Sequence, residues 1–293
     1  MEGYQVGRLE EDTEQYIDLH VHSNASDGTL TPTEVVKLAA DSGLAAIALT
    51  DHDTVDGVAE AMIAGEEYGV EVIPGIELSA DYKGSDLHIL GLGVDIHNED
   101  FLRKVAVCRD SRDNRNLKMV KKMNEQGFPV TWEEMVRRFG DYSITRAHFA
   151  KYLMDEGYVA DKNEAFAKYL DPGKPCYVSR EKVTPIEAIE MILGAGGHPV
   201  LAHPMLYKMP LDRLESVIVM LKDHGLQGIE AVYSLNRPED DAFLAKLAKR
   251  HQLYITGGSD FHGAIKPDIA LGTGKGNMRM TKSMCFLYRE ESI

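Results

Sequence analysis

Short apolar runs alternate along the first third of the chain with segments whose apolar residues recur at helical spacing. Tyr16 to Val21, Ala45 to Thr50 and Val70 to Leu78 read as strands, and Thr31 to Ser42 and Val55 to Tyr68 read as helices. Thr31 is placed to cap its helix, and Pro32 fits the first helical position. This βαβαβ order predicts parallel strands joined by helical crossovers. Leu87 to Val94 follows the third strand too closely for a crossover helix, so a hairpin through Asp81 to Ser85 is expected.

From Asn98 to Ala188 the pattern turns charged and helical, as at Leu117, Val120 and Met123, with breaks at Gly127, Gly140 and Asp171-Pro172-Gly173. This stretch reads as a helical insertion the size of a small domain. The alternation then resumes. Helices are expected at Pro185 to Gly194, Leu211 to His224 and Pro238 to His251, and strands at Pro199 to Ala202, Gly228 to Tyr233 and Leu253 to Gly257. Met284 to Tyr288 reads as a last strand. The fold class is α/β, a barrel of about seven strands. Residues 1–97 and 189–293 form it, and residues 98–188 form a mainly helical insertion over its mouth.

Composition narrows the function. The chain has 293 residues, 44% hydrophobic and 27% charged, as in soluble globular proteins. No apolar run is long enough to span a bilayer, so no membrane role is expected. Met1 to Gln15 is polar and acidic, and it reads as a tail without the order of a secretory signal. Cys108, Cys176 and Cys285 are scattered, which suits a reducing cytoplasm. The formal net charge of −15 repels long nucleic acid but permits a small phosphorylated ligand if bound cations reverse the local field.

The candidate chemistry sits at strand ends. His20 and His22 are two apart on a strand and face one side, so two imidazoles can meet one metal. Alone, such a pair is more often a polar strand end, with one His satisfied by hydrogen bonds. Asp27 follows in the next loop. The second strand ends in Asp51-His52-Asp53, where an aspartate could instead cap the next helix. Glu77 ends the third strand, and a hairpin sets His88 beside it. His203 follows the fifth strand, and Asp260 and His262 follow the last full one. Barrel sites gather at such ends. His20, His22, Asp27, His52, Glu77, His88, His203, Asp260 and His262 exceed what one four-coordinate ion needs, so two or three divalent ions are expected, with Glu77 a candidate bridge. Mixed imidazole and carboxylate ligands suit Mn, Fe or Zn. Such ions carry more charge than Asp27, Glu77 and Asp260 neutralise, which favours a phosphate dianion. They also acidify a bound water into a hydroxide nucleophile, so no separate catalytic side chain is needed. No GxxxxGK[ST] loop is present.

Asp18-Leu19-His20-Val21-His22-Ser23, Thr50-Asp51-His52, Pro74-Gly75-Ile76-Glu77, His88, Leu201-Ala202-His203-Pro204 and Gly258-Ser259-Asp260-Phe261-His262 resemble the motifs of the polymerase and histidinol phosphatase (PHP) family. Thr145-Arg146-Ala147-His148 and Gly173-Lys174-Pro175-Cys176-Tyr177-Val178 resemble the branch that holds nucleoside 3′,5′-bisphosphate phosphatases and enzymes acting on 5′ ends of short RNA. Ala147 and Cys176 depart from that branch's usual proline and small residue. The resemblance implies a distorted seven-stranded (β/α) barrel, TIM-like, and a trinuclear site. It implies one ion on His20, His22, Glu77 and Asp260, a second on Glu77, His88 and His203, and a third on Asp27, His52 and His262. The expected reaction is hydrolysis of a phosphate monoester of a small nucleotide, first a 3′-phosphate of a nucleoside 3′,5′-bisphosphate. Alternatives are 5′-3′ exonuclease action on short 5′-phosphorylated oligonucleotides, a phosphatase of AMP or another monoester, and, from a different class, a non-catalytic metal-binding module. Arg146 is the candidate phosphate clamp, with a helix-surface salt bridge as the rival reading. His148 and Lys174 are weaker candidates. Arg109, Arg112 and Arg115 share one helical face and read as solvated.

Overall fold

A computed structural model describes residues 14–140 and 144–288, so the tail expected over Met1–Gln15 falls almost wholly outside the described residues. The chain begins with β1 (Ile17–Val21), α1 (Pro32–Asp41), β2 (Ala46–Leu49), α2 (Val58–Tyr68) and β3 (Glu71–Tyr82). β1 and β2 are buried at every position, as expected of parallel strands covered on both faces. α1 starts with a reciprocal cap: Thr31 Oγ1 accepts from the Glu34 N–H, and Glu34 accepts from the Thr31 N–H. Pro32 takes the first turn, where no N–H is needed.

β4 (Ser85–Leu92) runs back along β3. Lys83 and Gly84 both take positive φ, as the tight turn of a two-residue hairpin demands. The pairing carries β3 four residues past the expected end at Leu78 and sets His88 opposite Ser79, at the same rim as Glu77. After the insertion come α7 (Pro185–Gly194), β5 (His198–Leu201), α8 (Leu211–Asp223), β6 (Gly228–Tyr233), α9 (Pro238–Arg250) and β7 (Tyr254–Gly258). The seven strands lie in chain order, all parallel except where β4 meets β3 and β5. The barrel is drawn shut where the Asp260 N–H donates to His20 O (2.8 Å) and the His22 N–H donates to Phe261 O (3.0 Å). A Cβ on Gly258 would lie 2.2 Å from the His20 Cβ, so this seam tolerates only glycine.

Met284–Tyr288 is not a strand. It forms two short 3₁₀ turns, Lys282–Met284 and Phe286–Tyr288, with Cys285 buried against Ile17, Leu19 and Met280 in the floor of the barrel. With β1 joined to β7, an apolar segment here has no strand edge to pair with, and it plugs the bottom instead.

The insertion comprises α3 (Glu99–Glu125), α4 (Trp132–Phe139), α5 (Arg146–Asp155) and α6 (Lys162–Ala165), the last continuing as a π-helical turn to Leu170. α3 is about 40 Å long at 1.5 Å per residue. Its first half puts Phe101, Val105 and Cys108 into the apolar layer outside the barrel. Its second half puts Met119 and Met123 into a separate core with Met135, Phe149, Leu153 and Leu170. Ala188, Ile189 and Ile192 of α7 join the barrel layer, so the division drawn between residues 188 and 189 falls inside that helix. Among the described residues no helix is long and apolar enough to cross a membrane.

Candidate metal centre

The strand ends converge on Glu77, which is fully buried. Strand alternation sends His20 and His22 to the same side, with their Nε2 atoms 3.1 Å apart. Each lies 3.3 Å from Glu77 Oε2. The hairpin brings His88 Nδ1 to 2.7 Å from Oε1, and His203 Nε2 approaches Oε1 at 3.0 Å. His52, just past β2, puts Nδ1 2.9 Å from Oε2. His262 Nε2 lies 3.1 Å from Asp27 Oδ1, and Asp260 Oδ1 lies 3.4 Å from His22 Nε2. All nine residues singled out in the sequence therefore meet at one mouth. Their donor atoms fall into four overlapping groups within 4.8 Å: His22, Asp27, His52 and His262; His20, Glu77 and His203; His20, His22 and Asp260; and His52, Glu77 and His88.

These groups fit metal ions better than they fit one another. Asp27 Oδ1, His52 Nδ1, Glu77 Oε2 and His203 Nδ1 are buried without a hydrogen bond among the described residues. Buried polar atoms are rarely left so. Burial opposes ionisation of Glu77, but His52, His88 and His20 hold its carboxyl well below the usual range. Burial likewise opposes charge on His22 and His88, yet Asp260 and Glu77 raise His22 to about 9, and Glu77 and Asp86 raise His88 to about 10. Burial and Lys266 push His262 down to about 4. The carboxylates thus draw positive charge inward, which divalent cations would supply.

Other residues aim the ligands. Glu230, in the middle of β6, holds His20 Nδ1 at 2.9 Å and accepts the His203 N–H at 2.7 Å. Such a partner fixes the tautomer and orientation of a metal-binding imidazole. Tyr233 and Lys266 donate to Asp260 Oδ2 at 2.7 and 2.6 Å. Asp51 caps no helix. It accepts from the Ser23 N–H, Ser23 Oγ and Ser26 Oγ, tying the loop that carries Asp27 to β2. His203 and Asp260 have φ of 29° and 56°, backbone strain of the kind found at functional sites.

A cavity of about 440 Å³ opens above this cluster. Asp27, His52 and His88 form part of its wall, and Arg112, Arg115, Arg146, Arg180 and Lys182 form another. Here the reading of the helix arginines is corrected. Arg109 is half-exposed and pairs with Asp56, but Arg112 and Arg115 are only 5% and 6% exposed. The helical face they share lies against the barrel rim, which periodicity cannot reveal. Asp53, buried with φ of 53°, accepts the Ser79 N–H at 2.9 Å and pairs with both Arg112 and Arg180.

Arg146 stands at the start of α5 and lines the cavity, its guanidinium 5.9 Å from the Phe166 ring and 5.8 Å from the Tyr177 ring. Its nearest carboxylate, Asp86, is 3.8 Å away and also meets Lys182 at 2.5 Å. Thr145, capping the same helix, donates to Asp27 Oδ2 at 2.8 Å and so ties the insertion to the ligand cluster. His148 is buried behind that cap, accepts the Thr145 N–H through Nδ1 and packs on Phe139, and burial pushes it down to about 4. Lys174 is exposed and does not line the cavity. The sequence reading passed over Glu230, although a carboxylate inside an apolar strand was a visible signal. It also passed over Asp53, Arg180 and Lys182 as partners, and for these local sequence held none.

A profile of the PHP domain matches residues 18–171. Over 247 residues the chain is 39% identical to a 3′,5′-nucleoside bisphosphate phosphatase of Chromobacterium violaceum, covering 84% of this chain and 87% of that one. Over 250 residues it is 37% identical to a 5′-3′ exoribonuclease of Haemophilus influenzae, covering 85% and 90%. A solved structure from Bifidobacterium adolescentis, described as a metal-dependent phosphoesterase, superposes with a TM-score of 0.79 at 34% identity over 86% of this chain and 90% of that one.

Proposed function

The chain belongs to the PHP domain family and is a metal-dependent phosphoesterase, and on that footing we propose that it hydrolyses the 3′-phosphate of a nucleoside 3′,5′-bisphosphate. The observation that carries this reading is the single cavity that joins a carboxylate-centred ligand cluster to a wall of arginine and lysine. One end suits divalent cations and the other suits anions. We assign two or three ions, of Mn, Fe or Zn, to His20, His22, Asp27, His52, Glu77, His88, His203, Asp260 and His262. When bound, such ions polarise phosphoryl oxygens and acidify a water that serves as nucleophile.

The chain's own residues hold and orient the ester. Arg146 meets phosphate oxygens through its guanidinium fork. Phe166 and Tyr177 flank that guanidinium and offer ring faces to a nucleoside. Thr145 fixes α5 to Asp27, so the clamp and the reacting centre keep one spacing. Residues 98–188 act as the cap that chooses the substrate. His148, behind the cap turn, supports α5. The buried and scattered Cys108, Cys176 and Cys285 suit a reducing cytoplasm.

Phosphate release from adenosine 3′,5′-bisphosphate, AMP and a short 5′-phosphorylated RNA, compared with Mn present and with chelator, tests the proposal. Rapid release from the bisphosphate with AMP accumulating is the expected result. Preferred shortening of the RNA would move the substrate to the exonuclease reading. Metal binding with no ester cleaved would leave a non-catalytic module.

A further inference from the structure

The ends of β4 and β5 depart from the rule that orders the rest of the sheet. Their register pairs Ile89 with Leu201 and Leu90 with Val200, which sets His88 opposite Ala202. Residues directly opposite share a face of the sheet, and the next residue along a strand faces the other way. On alternation alone, His203 would point away from His88. Both imidazoles nevertheless reach Glu77 Oε1, His88 at 2.7 Å and His203 at 3.0 Å. The chain manages this by leaving the ladder after Ala202: His203 takes a φ of 29°, and Pro204–Tyr207 coils into a 3₁₀ turn.

That departure opens a ladder bond. The pair formed by His88 and Ala202 is of the kind that exchanges two N–H···O bonds. Among the described residues only one is direct, from the Ala202 N–H to His88 O at 3.1 Å. In place of the other stands the hydroxyl of half-buried Tyr207, which accepts the His88 N–H at 3.0 Å and donates to Ala202 O at 2.7 Å. The same ring meets the His203 ring edge-on, with centroids 5.8 Å apart. Tyr207 does not line the cavity above the cluster. It therefore bridges the two strand ends that carry imidazoles to Oε1 from a place where it is no contact for the ester.

We propose that Tyr207 is a positioning residue for metal: its hydroxyl, wedged between β4 and β5, sets the spacing of His88 and His203 about Glu77 Oε1 and with it the affinity for an ion held there. The inference rests on the assignment of ions to this cluster and not on which ester is cleaved. A direct bond would draw the strand ends together, and an open pair would bury an unsatisfied N–H and C=O. A hydroxyl avoids both, because it accepts from one group and donates to the other. Asp27 and His262 come from loops that Tyr207 does not bridge, so only part of the bound metal should depend on it.

Tyr207→Phe keeps the ring and removes the hydroxyl, and it tests this on the full chain. Tyr152→Phe is the reference, because Tyr152 donates a comparable bond to Pro129 O inside the cap, at 2.6 Å. After gel filtration, Tyr207→Phe should retain less Mn than the wild type by elemental analysis. The Mn concentration that gives half-maximal turnover of p-nitrophenyl phosphate should rise about 10–100-fold, as when a partner behind a ligand is lost. Saturating Mn should restore turnover, and KM for the ester should change little. Tyr152→Phe should keep the Mn content and Mn dependence of the wild type. Lower melting temperatures in both variants, with Mn content and dependence unchanged in Tyr207→Phe, would make Tyr207 a fold contact only and overturn the proposal. A loss of turnover that Mn does not relieve would also overturn it. If Tyr207→Phe does not fold, amide exchange in the chelator-treated wild type decides. A His88 N–H that exchanges as slowly as that of Leu90 shows the spacing set before metal arrives and supports the proposal, whereas one that slows only with Mn overturns it. If the wild type binds Mn but releases no 3′-phosphate, the 3′-phosphatase reading fails, and retained Mn still decides: less in Tyr207→Phe supports the positioning role, and equal content overturns it. A wild type that takes up no Mn overturns it outright.

Discussion

The two buried charge clusters at the barrel mouth are mirror images. Around Glu77 the carboxylates are surrounded by imidazoles that meet them at close range yet, among the described residues, leave Asp27 Oδ1, Glu77 Oε2, His52 Nδ1 and His203 Nδ1 without hydrogen bonds. Around Asp53 the excess has the other sign, with two guanidiniums on one carboxylate and Arg115, among the described residues, on none. Strand ends build the first cluster, so its geometry is fixed by the sheet. The second joins β2's end to α3 and to the segment before α7, elements distant in sequence. A fold that only sought stability would have closed both with apolar groups. Each instead keeps an excess of one charge, the match for a ligand of the opposite sign under the proposed function.

The largest break in this comparison is Glu77→Gln. It removes the carboxylate common to two of the four donor groups, and turnover of p-nitrophenyl phosphate and retained metal, read by elemental analysis after gel filtration, should both be lost. The loss should exceed about 100-fold, since partners behind the ligands already cost roughly 10–100-fold. Asp53→Asn should act on the fold. It strands two buried guanidiniums and should cost about 3–5 kcal/mol in denaturant unfolding. Its pH dependence has a definite sign. Burial would raise the Asp53 carboxyl, but Arg180 and Arg112 hold it far below the usual range. A depressed carboxyl contributes stability above its unfolded value of about 3.9 and loses it as pH falls further. The gap between wild type and Asp53→Asn should therefore be full at neutral pH and narrow below about pH 4. A gap independent of pH would show that Asp53 is not the charged centre.

Glu230→Gln sharpens the first cluster without touching a candidate ligand. It loosens His20 and His203 and should lower metal affinity roughly 10–100-fold with little change in melting. The smallest effect belongs to Arg109→Ala. This residue sits one turn from Arg112 on the same helix but is solvated, so turnover and melting temperature should stay near those of the wild type. A large loss there would erase the distinction between the buried and exposed arginines.

Much of this was legible before any coordinates. α7 and β6 fall where periodicity puts them, and the β3–β4 link, too short for a crossover helix, is the expected hairpin. The nine candidate ligands were readable because alternation and barrel geometry send strand ends to one place. The rest failed for physical reasons. Met284–Tyr288 has strand-like composition, but composition does not say whether an edge remains to pair with. Arg112 and Arg115 have the spacing of a solvated face, and only tertiary packing turns that face inward. Arg180 and Lys182 lie in irregular chain that no local pattern places.

One more consequence attaches to α3, the unbroken helix anchored at one end in the barrel layer and at the other in the cap's own core. A rigid screw fixed at both ends has a phase. Adding or deleting one residue between Cys108 and Met119 would turn everything beyond it by about 100° and shift it by about 1.5 Å, swinging Met119 and Met123 off their core. Only steps close to whole turns restore the phase. Length variation among descendants of this sequence should therefore spare that interval or change it by three, four or seven residues, while the loops around Gly127 and Gly157 drift freely.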